Sequence, residues 1–167
     1  MTGTLAAWSA AVTLAVTGAI TGLYYAYSVS VMPGLNAIGG GSAIRAMNSI
    51  NVKIQNPLFF VTFFGPVVTA TLTGVLLLVL GHRPAAVLFL LAAAVYLFGA
   101  FLLTVAVNVP LNDLLAATAV PADPAEAARV WADYSSRWTG WNTVRAAASL
   151  VSLLLIGLGI YQWHRQR

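Results

Sequence analysis

The sequence predicts an all-α protein: a four-helix transmembrane bundle with two short helical connecting segments on one membrane face. Three features carry that expectation. Of 167 residues, 60% are hydrophobic and only 7% charged, against about 25% charged in soluble domains. Such a chain has too few polar groups to cover a surface that faces water, and its mean hydropathy is +0.86. Apolar stretches of about 20 residues, the length that crosses a hydrocarbon core roughly 30 Å thick, recur at residues 5–31, 57–80, 85–107 and 139–161. A backbone surrounded by lipid must satisfy its own hydrogen bonds, so these spans are helices. Residues 1–167 are read as a single integral membrane domain.

The first span, Leu5 to Val31, follows MTGTLAAW, which lacks the basic start of a secretory signal, and its apolar run is too long for one. It is read as a retained helix. Gly18 and Gly22 form the G-x-x-x-G pattern by which membrane helices approach closely; the contact would lie within the chain or between copies in a homo-oligomer. Pro33 and Pro110 are read as closing spans one and three, because proline cannot continue the hydrogen-bond ladder. Gly39 to Gly41 read as a flexible joint, after which Ser42 is expected to cap a short helix reaching about Gln55. Asn56 and Pro57 fit N-cap and first helical position of span two. GHRP is a tight turn between spans two and three. Asp123, Pro124 and Glu126 fit the start of another helix, either a separate segment or one that runs unbroken into span four, with Gly140 a place for a kink.

Four crossings put both termini and the GHRP turn on one face, with Arg83, Arg165 and Arg167 and no acid. The other face holds Arg45, Lys53, Arg129, Arg137 and Arg145 with all four acids. Raw counting of Lys and Arg favours that second face as cytoplasmic, whereas weighting short flanking loops favours the termini. Cytoplasmic termini in a bacterial plasma membrane are the expected arrangement.

The polar segments YYAYSVSVMPGLN, AMNSINVKIQNP, NVPLND and WTGWNTVR all fall on the face opposite the termini. A bundle would gather them around one mouth, and polar groups at membrane depth usually face an interior or a cavity. Trp138, Trp141, Asn142 and Arg145, spaced i, i+3, i+4, i+7, are expected to share a helical stripe. Arg145 is deep enough that a fixed partner such as Asp113, or an anionic ligand, is expected. The candidate binding residues are Ser28, Met32, Asn48, Asn51, Asn56, Asn112, Trp138, Trp141 and Asn142. Asp113, Asn108 and Arg145 are the candidates for chemistry. The tyrosines at 24, 25 and 27 fit this mouth or an interfacial aromatic belt equally well.

Several function classes fall away. There is no cysteine, and His82 and His164 lie away from the mouth, so favoured haem or transition-metal ligands do not assemble there. The sequence has no phosphate-cradling glycine loop and no nucleophile elbow. Its basic residues are scattered, unlike a nucleic-acid surface. No metal and no cofactor are expected; the partners are the lipid bilayer and a small apolar or aromatic ligand.

VMPGL, AMNSIN with a following NP, NVPLND, and W-x-x-Y-x-x-x-W-T-x-W-N-x-x-R occur in this order. Together, over about Tyr25 to Ala148, they resemble the anthrone oxygenase-like family of small membrane proteins. The resemblance implies a four-helix membrane bundle, and for its characterised members the oxidation of anthrones to anthraquinones by dioxygen. It places the family motif on Met32, Pro33, Asn48, Asn51, Asn56, Pro57, Asn108, Pro110, Asn112, Trp138, Trp141, Asn142 and Arg145. Where relatives often carry histidine between the last Asn and Arg, this chain has Thr143. The function implied is a cofactor-independent oxygenase for an anthrone-like or other flat phenolic molecule, with Asp113 as a base and Arg145 and the amides stabilising an oxyanion. Two other functions fit the same residues: a non-catalytic carrier for a quinone- or lipid-like ligand, and a structural membrane protein whose amides pin helix ends.

Overall fold

A computed structural model describes residues 1–165; Arg167, counted above among the terminal-face arginines, lies outside them. Among the described residues there are helices and no strands. Four helices are long and apolar enough to cross a membrane: α1 (Thr2–Asn36), α3 (Pro57–Val79), α4 (Arg83–Ala117) and α5 (Pro124–Arg165). Between α1 and α3 lies the shorter α2 (Gly40–Lys53). The expected architecture is present, with one of its two connecting helices fused to a span. α5 is continuous over 42 residues through Gly140.

Helix starts follow the sequence. Asn56 Oδ1 accepts the Phe59 N–H at 3.1 Å, and Asp123 Oδ2 accepts the Glu126 N–H at 3.0 Å. Ser42 does not cap α2, which begins two residues earlier. The glycines there serve close approach: a Cβ on Gly40 would stand 2.5 Å from the Ala127 carbonyl oxygen of α5. The GHRP turn closes α3 with a left-handed Gly81 (φ 82°), whose N–H bonds Leu78 while His82 N–H bonds Leu77.

Pro33 and Pro110 do not end their helices. In each case the helix first widens into a π-helical turn, Tyr27–Val31 in α1 and Thr104–Asn108 in α4. The last widened bond is made by the residue just before the proline: Met32 N–H to Tyr27, and Val109 N–H to Thr104. A proline ring clashes with the carbonyl four residues back; an extra residue in the preceding turn moves that carbonyl and lets the helix continue. α1 and α4 therefore outrun the expected ends at residues 31 and 107.

Three packed clusters run along the bundle. Near the GHRP turn, Ala6, Leu77, Phe89, Ile156 and Trp163 pack together; midway, Ile20, Tyr24, Tyr96 and Ala100; at the loop face, Met32, Ile44, Met47, Leu111, Trp131 and Trp138. Small residues allow the close contacts, for a Cβ on Gly99 would fall 2.5 Å from that of Ala148. Gly18 and Gly22 face open space, since a Cβ at either would meet nothing within 4 Å among the described residues.

One corner of the bundle is built from two pieces. At about 1.5 Å per residue, α1, α4 and α5 are longer than a hydrocarbon core roughly 30 Å thick requires, whereas α3 starts only at Pro57. Beyond that point α2 takes the fourth position, packing on α5 and on the ends of α1 and α4.

Candidate functional site

Where α3 stops and α2 takes over, the corner leaves a cavity of about 340 Å³, within the range of roughly 300–1,000 Å³ found for small-molecule sites. α1 contributes Leu23, Tyr24 and Tyr27, α2 contributes Asn51, and the turn that follows α2 contributes Ile54 and Gln55. Phe59, Phe60 and Phe63 come from α3. From α4 come Thr104, Val105, Asn108, Val109, Asn112 and Asp113, and from α5 Trp138, Asn142 and Arg145. Of the three π-helical turns among the described residues, two reach the wall: Tyr27 opens one, and Thr104 and Asn108 begin and end another, while Leu97–Phe101 in α4 does not.

Arg145 lies midway along α5 and is 3% exposed. One guanidinium NH₂ donates to Thr104 Oγ1 at 2.9 Å and the other to Asn142 Oδ1 at 2.8 Å. The guanidinium carbon sits 4.6 Å from the Tyr24 ring centre and 5.2 Å from that of Trp138, within reach of cation–π attraction. All four groups are neutral. The expected pairing with Asp113 is replaced by this cage: Asp113 lines the cavity, but Thr104 and Asn142 hold the guanidinium. A buried cation held only by neutral groups favours a negative charge beside it, and Arg145 Nε has no hydrogen-bond partner.

Asn142, wholly buried, is fully engaged. Its Nδ2 donates to the Tyr24 carbonyl at 2.7 Å and to Ser28 Oγ at 2.8 Å, while its Oδ1 takes the Arg145 bond. It ties the widened turn of α1 to the arginine, a positioning role. Asn108 donates to the Trp138 carbonyl at 3.3 Å, and its own Oδ1 is buried without a partner. Asn112 Oδ1 accepts from Trp138 Nε1 at 2.8 Å and Tyr134 OH at 2.9 Å, which fixes the Trp138 ring 5.4 Å from Tyr27. Asn51 Nδ2 is a third buried polar atom without a partner. Each such atom costs about 1–3 kcal/mol, so three on residues of one wall mark a surface that a ligand's polar atoms would complete.

Of the sequence-expected residues, Asn51, Asn108, Asn112, Asp113, Trp138, Asn142 and Arg145 come together on this cavity. Five do not reach its wall. Ser28 stands behind it, bonded to Asn142 and Thr143. Met32 is packed in the loop-face cluster. Asn48 is off the wall with its Oδ1 buried and unpartnered, and Asn56 caps α3. Trp141 is 43% exposed and faces outward. Thr143, the departure from the relatives' histidine, lines a separate groove between α1 and α5. Thr104 and the α3 phenylalanines were not anticipated. The four-residue step from Thr104 to Asn108 would have found the first, and the PLFFVTFF start of α3 the others.

Among the described residues no cluster of three or more His, Cys, Asp or Glu could hold a metal ion. The wall can bind an oxyanion through Arg145 and amides, hold a flat ring against Trp138, Tyr27 and the phenylalanines, and offer the Asp113 carboxylate to a proton.

No curated protein and no solved structure matches the chain. A family model described as anthrone oxygenase matches residues 59–155, more than half of the chain. The match takes in α3, α4 and most of α5, and with them Thr104, Asn108, Asn112, Asp113, Trp138, Asn142 and Arg145. The chain belongs to the anthrone oxygenase family.

Proposed function

We propose that this protein is a membrane-embedded oxygenase that uses dioxygen to oxidise a flat phenolic or anthrone-like molecule held in the cavity. The observation that carries this reading is the buried Arg145, bonded by neutral groups alone beside a ring-sized space. An activated methylene flanked by aromatic rings loses a proton, with Asp113 at the rim as the acceptor. The negative charge passes to the ring oxygen, where Arg145 stabilises it. The carbanion gives its electrons to dioxygen, forming a C–O bond to a peroxide, which takes the proton back from Asp113 to become a hydroperoxide. Loss of water then leaves a carbonyl, so one methylene and one dioxygen become one carbonyl and one water. Trp138 and Tyr27 keep the ring in place while this occurs. The protein resides in a bacterial plasma membrane with both termini in the cytoplasm, a reading supported by Arg83 and Arg165 on the acid-free face.

Purified protein in detergent, supplied with anthrone and air, is expected to consume oxygen well above the uncatalysed rate. Arg145→Gln is expected to lower that rate by roughly 10²–10³, as removal of one oxyanion donor does. Binding of the quinone without any catalysed uptake would replace this reading with that of a carrier.

A further inference from the structure

The cavity has two rims of unlike chemistry. At one, Gln55 and Asp113 are exposed. At the other, Phe60, Val105 and Val109 line the cavity yet are 41%, 52% and 42% exposed to the outside. These three sit at the start of α3 and in the later part of α4, both helices that cross the membrane. The two helices are joined as far as Phe101, which stacks on Phe63 at 4.8 Å and meets Phe64 at 5.5 Å. Past Phe101 the wide turn Thr104–Asn108 begins, and the rest of α4 packs on α5 and α2 rather than on α3. The parting leaves an apolar slot that leads from the outer surface of the bundle to the wall bearing Arg145 and Asn108. Those two residues are almost wholly buried, and each keeps one buried polar atom without a partner.

We propose that the cavity is loaded sideways from the bilayer through this slot, and that its ligand is a lipid-dissolved aromatic. Its oxygen-bearing ring seats against Arg145 and Asn108, and its apolar end remains between Phe60, Val105 and Val109. The inference rests on reading the cavity as a site for a flat phenolic molecule and specifies which of these it takes: those the membrane carries. An apolar molecule is already concentrated in lipid by the hydrophobic effect, and a route bounded by Phe and Val spares it passage through water. A compact water-soluble substrate would need only the Gln55 and Asp113 rim.

The test uses the full chain in phosphatidylcholine vesicles and a naphthoquinone with a long alkyl chain ending in a photoreactive diazirine. After irradiation, mass spectrometry is expected to find the label around Phe60, Val105 and Val109, reduced roughly tenfold or more by excess of the same quinone lacking the diazirine. Label confined to the region of Gln55 and Asp113, label that competitor does not reduce, as a resting phospholipid chain would give, or no label overturns the proposal. Val105→Trp and Val109→Trp each fill the slot from a lipid-exposed position and are expected to cut competed labelling roughly tenfold. Val68→Trp, also lipid-exposed but off the cavity, is expected to leave it unchanged. Undiminished labelling in both slot variants would also overturn the proposal. Labelling requires no turnover, so the two readings can fail separately. Slot labelling without oxygen uptake removes the oxygenase and keeps the slot, whereas uptake indifferent to both slot variants removes the slot and keeps the oxygenase.

Discussion

Arg145 and Asn142 act as a pair in which only one partner is free to meet a ligand. The asparagine uses its amide on Tyr24, Ser28 and the arginine, while the arginine retains Nε. Asn142→Leu removes three bonds, each worth about 0.6–1.7 kcal/mol inside a membrane protein. A drop of about 2–5 kcal/mol in stability is expected, read as a lower thermal midpoint in detergent, together with loss of oxygen uptake. Asn142→Asp keeps the shape and gives Arg145 a charged partner but loses the bond to the Tyr24 carbonyl; it is expected to be less destabilised than Asn142→Leu while uptake falls. Trp138→Phe loses the Asn112 bond and is expected to weaken naphthoquinone binding, whereas Trp141→Phe is expected to change it by less than about twofold, as at most surface sites. Arg145, Asn108 and Asn142 were legible because polar groups are too costly at membrane depth to stand there idle. Trp141 stands at the edge of the expected stripe, on its outward side. At about 100° per residue, Trp138, Asn142 and Arg145 fall within a narrow arc, and Trp141 lies some 60° to one side of Trp138.

The same device occurs in α1 and α4, two spans that run the same way: a π-helical turn, then a residue, then proline. Each helix then reaches an asparagine tied to α5. Asn36 accepts from Trp131 Nε1 at 2.9 Å, and Asn112 accepts from Trp138. Pro110→Ala restores an N–H that seeks the carbonyl four residues back and so favours an ordinary turn. The variant is expected to be at least as stable thermally, because alanine suits a helix interior better by about 3 kcal/mol. Its oxygen uptake is nevertheless expected to fall, since Thr104 and Asn108 would rotate off the wall. Equal uptake would show that the widened turn does not set the site. Gly99→Leu should force α4 from α5 at Ala148 and cost about 1–3 kcal/mol, measured in the same thermal assay. Caps were readable at Asn56 and Asp123 because their chemistry is local. The π-helical turns were not, because apolar residues face both core and lipid, and the periodicity that would reveal a slipped phase is washed out.

At the scale of the whole molecule, sidedness was legible: segments far apart in sequence, around Asn51, Asn108 and Asn142, meet at one cavity because an even number of crossings returns them to one face. The heights of the helices were not, since sequence order does not say that α2 stacks above α3 in one corner. The orientation expected from Arg83 and Arg165 is testable directly, because the chain has no cysteine. Ser42→Cys in intact cells is expected to react with an impermeant maleimide added outside, and a fluorescent protein fused to the C-terminus is expected to fold and glow. Labelling of Ser42→Cys only after lysis would invert the arrangement. The divided corner has a consequence of its own. Its upper half is an amphipathic helix bearing Asn51, its lower half a helix that opens with phenylalanines, and the chamber lies on the joint between them, where Gln55 stands. A molecule with one wettable edge and one greasy edge is at its lowest free energy along that joint. Chain geometry thus sorts candidate ligands by how they lie across an oil–water boundary before any single contact is made.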